Sequence, residues 1–130
     1  MVTADEASKI YDQHLLKPSV FFDTKEFQGT SCELLGEKLN SPICISSSAF
    51  HKMAHPDGEE GTFEAAQKAG QTCVTLSNWA TTTAEDCARQ APDCFKIFQV
   101  YCSKYPEVNA DMWRRVRESG YKAMALTCDT

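Results

Sequence analysis

The chain has 130 residues, of which 42% are hydrophobic and 24% are charged, a composition typical of one globular domain. Its formal net charge is -5 and it has no run of basic residues, which excludes the electrostatic footprint of a nucleic-acid-binding protein. No apolar stretch approaches the roughly 20 residues that cross a bilayer, and residues 1–9 lack the apolar core of a secretory signal, so we expect an intracellular protein with no membrane partner.

Residues 1–40 are predicted to form an N-terminal extension of short strands or turns. Gly36, Glu37 and Lys38 indicate a turn between two short strands. Several apolar side chains of this extension are expected to cap the bottom of a core; they are Phe21, Phe22, Phe27, Leu34 and Leu35. We assign no chemistry to this segment.

Strand-like and helix-like segments alternate from residue 41 onward. The predicted strands cover residues 42–46, 72–77, 95–101 and 122–128. The predicted helices run from Pro56 to Ala69 with Gly70 as a cap, from Thr82 or Thr83 onward, and from Pro106 to a stop at Gly120. Because parallel strands need such helical crossovers, the sheet is expected to be parallel. Two architectures fit, part of a (β/α)8 barrel or a small doubly wound sheet.

Each predicted strand becomes polar at its carboxyl end. The polar residues there are Ser46, Ser47, Ser48, Ser77, Asn78, Gln99, Tyr101, Thr127 and Asp129. Ligands of parallel α/β proteins bind at the carboxyl ends of strands, so these residues indicate a hydrogen-bonding pocket. The alternative interpretation is the ordinary polarity of surface loops.

Other chemical motifs are missing or weak. The seven cysteines form no CxxC pair, which excludes a zinc ribbon and a thioredoxin-type motif, and we expect them to be reduced and buried. His51 and His55 lie four residues apart, but Pro56 interrupts a helix there and no third ligand is near, so no metal site is predicted. Neither a dinucleotide fingerprint nor a P-loop occurs.

Four segments at the strand ends resemble, in order and spacing, the motifs of the FMN-dependent 2-hydroxy-acid oxidases and dehydrogenases. Residues 42–59, PICISSSAFHKMAHPDGE, are similar to the family's first-strand signature. The others are TLSNWAT at residues 75–81, FQVY at 98–101 and ALTCDT at 125–130, which resemble the family's TLSSWAT, FQLY and ALTVDT. The match covers roughly residues 15–130.

The resemblance implies an incomplete (β/α)8 TIM barrel with FMN across its top rim, residues 41–130 forming its first half with roughly four strands. The resemblance also implies that the backbone around Ser47, Ser48 and Ala49 lines the flavin. The side chains of Ser77, Gln99 and Thr127 are expected to hydrogen-bond the isoalloxazine ring.

The resemblance also implies oxidation of small (S)-2-hydroxy acids to 2-oxo acids, with dioxygen or another electron acceptor as the partner of the reduced flavin. Tyr101 is the predicted catalytic and substrate-binding residue, contacting the substrate's carboxylate or hydroxyl, and Trp79 is expected near the substrate. The full-length protein is expected to form a homo-oligomer in the peroxisome or cytoplasm.

Several features depart from the family pattern. Ser47 and Ser48 stand where the family usually has Pro-Thr, Asn78 replaces a serine, and His51 replaces a common glutamine. The family's histidine base, substrate-binding arginines and phosphate site come from later strands, and its N-terminal helical segment is expected to be absent. We therefore expect the isolated chain to be inactive, and to be unstable, to dimerise, or to belong to a longer protein. The alternative function is a non-catalytic truncated form that associates with a full-length subunit.

Overall fold

The structure, a computed structural model, describes residues 2–21 and 23–129, so the expectations for Phe22 and Thr130 lie outside the described residues. The helices are α1 (Val2–Gln13), α2 (Gly58–Lys68), α3 (Ala84–Gln90) and α4 (Pro106–Glu118), with a 3-10 turn at His51–Met53. The strands are β1 (Cys32–Leu34), β2 (Glu37–Leu39), β3 (Val74–Leu76), β4 (Lys96–Val100) and β5 (Ala123–Leu126). None of the described helices is long and apolar enough to cross a membrane.

The main sheet has the order β3-β4-β5, and both of its strand pairs are parallel, as predicted. The strand predicted over residues 42–46 is reduced to one parallel bridge between Ile45 and Val74. Ile45 donates to the Cys73 carbonyl at 2.8 Å and accepts from Thr75 at 2.9 Å. The prediction was therefore too long, because only Ile45 keeps its backbone groups paired with β3 while the serines after it turn into a loop.

Two of the helix boundaries follow the predicted caps. Thr83 is the N-cap of α3, and its side chain accepts a hydrogen bond from the Asp86 amide at 3.1 Å. Gly70 follows α2 with a φ of +96°, a conformation that glycine adopts without the steric penalty of a side chain. These caps confirm the predicted start of α3 and the predicted end of α2.

The main core lies between the sheet and helices α2, α3 and α4. Val74 and Leu76 of β3 and Phe98 and Val100 of β4 alternate onto the face that meets the helices. Val116 of α4 is buried against them. The predicted apolar face of α4 is shorter than expected, because Val108 and Trp113 are about half exposed (52% and 47%).

Strands β1 and β2 form a hairpin around Gly36, where a turn was predicted. This hairpin covers one end of the main sheet. Leu35 and Gly36 both have positive φ, the geometry of a tight two-residue hairpin turn. Leu39 forms a second small core with Cys73 and Phe95. The hairpin therefore seals the end of the sheet opposite the carboxyl ends of its strands.

The expected apolar cap is only partly right. Leu34 packs on the second core, but Phe21, Phe27 and Leu35 are largely exposed. Leu35 occupies the hairpin turn, which projects away from the core. Phe21 and Phe27 lie in an irregular segment before β1, where few backbone hydrogen bonds hold the chain against the core.

The prediction of short strands or turns over residues 1–40 matches strands β1 and β2. Residues 2–13 instead form helix α1, which that prediction did not include. Its residues VTADEASKIYDQ include the helix formers alanine, glutamate and lysine. Lys9 pairs with Glu6 at 3.2 Å, a spacing that stabilises an exposed helix. No residue of α1 is buried, and Tyr11 is 76% exposed.

The cysteines are unpaired, but they are not uniformly buried. Cys73, Cys87 and Cys94 lie in the cores, and burial raises the pKa of the Cys87 thiol to about 12. The expectation was wrong for the exposed cysteines, which are Cys44, Cys102 and Cys128. All three are in loops or at strand ends, where no helix of the described residues covers them.

A buried lysine closes the end of helix α3. The Lys96 side chain begins β4, and its Nζ donates to the carbonyls of Ala91 at 2.7 Å, Pro92 at 3.0 Å and Cys94 at 3.2 Å. The residue is 3% exposed, and burial lowers the pKa of its ammonium. The ammonium therefore supplies a donor to the carbonyl of the C-cap residue Ala91 and to two carbonyls of the loop that follows α3.

Replacing Lys96 with methionine is expected to lower the free energy of unfolding by about 1–3 kcal/mol, because three carbonyls lose their donor. Methionine keeps the length of the apolar stem, so the change isolates the ammonium. Urea denaturation of the Lys96→Met chain measures the effect. Lys68→Met on the surface of α2 is the matched control, expected within about 0.5 kcal/mol of the parent; equal stability of both variants would refute the capping role.

Candidate functional site

Three of the predicted site residues form one chain of hydrogen bonds at the carboxyl ends of the parallel strands. Gln99 Nε2 donates to Thr127 Oγ1 at 2.7 Å, and Ser77 Oγ donates to Gln99 Oε1 at 3.3 Å. Ser77 and Gln99 are buried, at 6% and 7% exposure. We call Ser77, Gln99 and Thr127 the polar hub.

The sheet register explains why the hub residues meet. Gln99 points to the face opposite Phe98 and Val100, away from the helices. Its register partner on β5 is Ala125, whose small side chain lets the Gln99 amide reach past it to Thr127. Thr127 in turn donates its backbone amide to Val100 at 3.1 Å, which keeps it beside β4.

The loop after β3 orients the Gln99 amide. The Asn78 backbone amide donates to Gln99 Oε1 at 3.0 Å, and the Trp79 amide donates to Ser77 Oγ at 3.1 Å. Gln99 Oε1 therefore accepts two hydrogen bonds, while Nε2 uses one N–H toward Thr127. Within the described part of the chain, the second N–H of this amide has no protein acceptor, so it is available to a ligand.

Ser47, Ser48 and Ala49 lie in the loop after Ile45. Ser48 and Ala49 line a hollow of about 450 Å³ together with Phe50 and other residues of their own loop. Ser77 instead lines a cavity of about 210 Å³ between the sheet and α4. The flavin-lining role of this loop stays a prediction.

The two predicted substrate residues lie next to the hub along the chain. Trp79 follows the Ser77 strand end, is 56% exposed, and packs its ring on Phe50 with centroids 6.0 Å apart. Tyr101 is two residues beyond Gln99, just after β4, and is half-buried. Both aromatic residues are therefore on the segments that leave the strand ends.

Sequence reasoning missed a buried carboxylate beside this edge of the sheet. Glu59, in the first turn of α2, is 1% exposed. Its Oε1 accepts from the amides of His51 at 3.0 Å and Thr81 at 2.9 Å, and its Oε2 accepts from the hydroxyls of Thr81 at 2.5 Å and Thr82 at 3.2 Å. Burial alone raises the pKa of this carboxyl, but the hydrogen bonds from Thr81 and His51 outweigh it and lower the pKa to about 2.

The two histidines of the first loop have separate partners. His51 Nδ1 lies 3.1 Å from Thr62 Oγ1, and His55 Nδ1 lies 3.5 Å from an oxygen of Asp57. Among residues 2–21 and 23–129, no three side chains of histidine, cysteine, aspartate or glutamate are grouped so that they could hold a metal ion.

Comparison with known sequences gives matches along the whole chain. The sequence model described as FMN-dependent dehydrogenase matches residues 1–130, which extends the expected match of residues 15–130 to include α1. Glycolate oxidase 1 of Oryza sativa subsp. indica is 41% identical over 128 residues, which are 98% of this chain and 34% of that protein. 2-Hydroxyacid oxidase 2 of Rattus norvegicus is 35% identical over 129 residues, 99% of this chain and 36% of that protein. The chain thus spans about a third of the length of these curated relatives.

Comparison with solved structures also matches this chain to about a third of larger proteins. The recombinant flavin-binding domain of baker's yeast flavocytochrome b2 matches with a TM-score of 0.86 at 22% identity, covering 94% of this chain and 32% of that chain. A variant of mandelate oxidase matches with a TM-score of 0.72 at 24% identity, covering 78% of this chain and 30% of that one. At these identities the likeness concerns the fold, and it shows that the described α/β units are arranged as in part of those two structures.

Proposed function

The chain belongs to the FMN-dependent dehydrogenase family, and on that premise we propose that its polar hub binds the edge of the FMN isoalloxazine ring. In this proposal residues 41–130 are the first half of a (β/α)8 barrel, and the carboxyl ends of its strands face the flavin. The observation that supports it most is the hydrogen-bonded alignment of Ser77, Gln99 and Thr127 at one edge of the sheet.

The donor set of the hub fits a flavin. The edge of the isoalloxazine ring has three hydrogen-bond acceptors, O2, O4 and N5, and one donor, N3–H. A glutamine amide offers an N–H and a carbonyl, and the hydroxyls of Ser77 and Thr127 can donate or accept. Because the Gln99 amide is already fixed by the Asn78 and Thr127 contacts, it can hold the ring in one orientation.

For the whole protein we propose oxidation of (S)-2-hydroxy acids to 2-oxo acids, with dioxygen or another electron acceptor. The names of the relatives, glycolate oxidase and 2-hydroxyacid oxidase, support this substrate class. Bound FMN supplies the redox chemistry by accepting two electrons from the substrate. The residues of this chain then position the reactants: the hub and the backbone of Ser47, Ser48 and Ala49 hold the ring, while Trp79 and the Tyr101 hydroxyl bind the substrate.

FMN titration of the purified chain tests the cofactor part of this proposal. Saturable quenching of flavin fluorescence is expected, and Thr127→Val is expected to weaken binding about tenfold because Gln99 and the ring lose one hydroxyl partner. Thr127→Ser keeps the hydroxyl and is the matched control. A folded chain that gives no saturable quenching, or a valine variant that binds as well as the serine variant, would contradict the proposal.

Tyr101→Phe in the full-length protein loaded with FMN is expected to lower kcat by roughly 10–100-fold, because one hydrogen bond to a charged or reacting group of the substrate is lost. Flavin content is expected to stay unchanged, since the hub does not include this hydroxyl. Steady-state kinetics and the flavin absorbance of the purified variant measure the two quantities. The exposed Tyr105→Phe is the control, and parallel loss of flavin and turnover in Tyr101→Phe would reject its substrate-facing role.

A further inference from the structure

The buried Glu59 carboxylate joins two loops that leave neighbouring strand ends. The first loop follows Ile45 and contains residues 46–57; the second follows β3 and contains residues 77–83. Glu59 accepts the His51 amide of the first loop and three donors from Thr81 and Thr82 of the second. One side chain thus fixes the distance between both loops.

Further contacts link the same two loops. The Thr81 hydroxyl accepts from the Lys52 amide at 3.2 Å while it donates to Glu59, so it bridges the first loop and the carboxylate. The Phe50 amide donates to the Trp79 carbonyl at 3.2 Å, and their rings are in contact. The two loops therefore behave as one unit whose centre is Glu59.

The first loop holds a strained residue next to this unit. Phe50 has a φ of 56° and a ψ of 43°, a left-handed conformation that costs a side-chain-bearing residue about 1–3 kcal/mol. The amide of the following residue, His51, is bonded to Glu59. The carboxylate is therefore placed to hold Phe50 in this conformation and its ring against Trp79.

An ordinary helix-capping role does not account for these contacts. A carboxylate near a helix N-terminus is stabilised by the helix dipole even while it remains in water, so a capping role does not require burial. Glu59 is instead almost completely buried, and burying an ionised carboxylate is unfavourable unless several donors satisfy it. Its donors come mainly from the two loops and not from α2.

We propose that Glu59 is a positioning residue that ties the two loops together and thereby sets Trp79 and the backbone of residues 47–49 against the flavin and substrate. The flavin part of this inference rests on the proposed function, whereas the position of Trp79 is measurable without a flavin. Glu59 itself contacts neither cofactor nor substrate in this proposal; it acts through the loops.

The first experiment measures the fluorescence of Trp79 in the full chain. Trp113→Phe leaves Trp79 as the single tryptophan, since the sequence has two. In this background Glu59→Gln is expected to shift Trp79 emission to the red and to raise its quenching by acrylamide, with the far-UV circular dichroism retained. Glu64→Gln removes the same charge from the exposed face of α2 and is expected to change neither signal. Unchanged Trp79 emission and quenching in a folded Glu59→Gln chain would overturn the proposal.

A second pair of variants keeps the test decisive if Glu59→Gln does not fold. Thr81 is exposed, and Thr81→Val removes its hydroxyl while keeping its shape. We expect Thr81→Val to move Trp79 emission and quenching in the same direction, and Thr81→Ser, which restores the hydroxyl, to return both to the parent values. Identical spectra for valine and serine variants would refute the tie between the loops.

FMN affinity supplies the readout that depends on the proposed function. Glu59→Gln is expected to weaken FMN binding about tenfold relative to Glu64→Gln, through the displaced loop backbone. Parent chain that binds no FMN would refute the proposed function and leave the Trp79 result to decide the role of Glu59. Normal FMN affinity together with a displaced Trp79 would confine that role to the substrate side, and normal values of both would overturn it.

Discussion

Gln99→Leu is expected to weaken FMN binding by about 100-fold, the largest effect of any single substitution in the site. The Gln99 amide connects the strand end of β3, through Ser77 and the Asn78 amide, with Thr127 after β5. Leucine fills a similar volume but offers neither donor nor acceptor. The flavin then loses its contact with the amide, and the hydroxyls of the hub lose the partner that orients them.

Flavin fluorescence titration measures this effect, and urea denaturation shows whether the fold survives. Gln90→Leu is the matched control, because Gln90 is exposed on α3 and its side-chain amide donates to Glu60 at 3.3 Å, far from the hub. The control is expected to bind FMN as the parent does. A Gln99→Leu chain that is folded and binds FMN with parental affinity would show that the hub does not contact the ring.

Glu59→Gln is expected to remove roughly 3 kcal/mol of stability at neutral pH and to flatten the acid limb of the stability curve. The pKa of Glu59 is lowered from 4.5 to about 2 in the folded chain. Between these two pH values the unfolded chain binds more protons than the folded chain. The stabilisation from this carboxylate is therefore fully present above about pH 4.5 and is lost as the pH falls through about 2.

Urea denaturation of the parent and of Glu59→Gln across this pH range isolates the contribution. Hydrogen bonding to Arg115 lowers the pKa of Glu85, and hydrogen bonding to Thr83 lowers that of Asp86, but both carboxyls are present in parent and variant. The difference between the two curves thus reports Glu59 alone. If parent and variant lose stability in parallel from pH 7 to 3, the buried carboxylate is not the source of the acid sensitivity.

Local signals in the sequence predicted the parts of the fold that depend on neighbouring residues. Thr83 with Asp86 three positions later indicated a helix start, and Gly70 indicated a helix end, because capping is satisfied within one turn. The parallel order of β3, β4 and β5 followed from the spacing of strands and helices. The meeting of Ser77, Gln99 and Thr127 followed in turn, since carboxyl ends of parallel strands lie together.

Features that depend on distant partners were not predictable in the same way. In the sequence, Glu59 resembles any acidic residue in the first turn of a helix. Its partners Thr81 and Thr82 are 22 and 23 positions away, and only the fold brings them to it. The strand around Ile45 was overestimated because its apolar residues suit a strand, whereas its length depends on how many backbone partners β3 offers. Helix α1 was missed although its sequence contains helix formers; none of its residues is buried, so it contributes to neither core.

The measurement that tests the central claim most directly is the nuclear magnetic resonance shift of the Gln99 side-chain amide during titration of the labelled chain with FMN. We expect the two N–H signals of Gln99, and the backbone signal of Thr127, to move and to saturate together, while the side-chain amide of the exposed Gln90 stays in place. Saturable FMN binding that leaves the Gln99 signals unmoved would contradict the account, as would the absence of any binding by the folded chain.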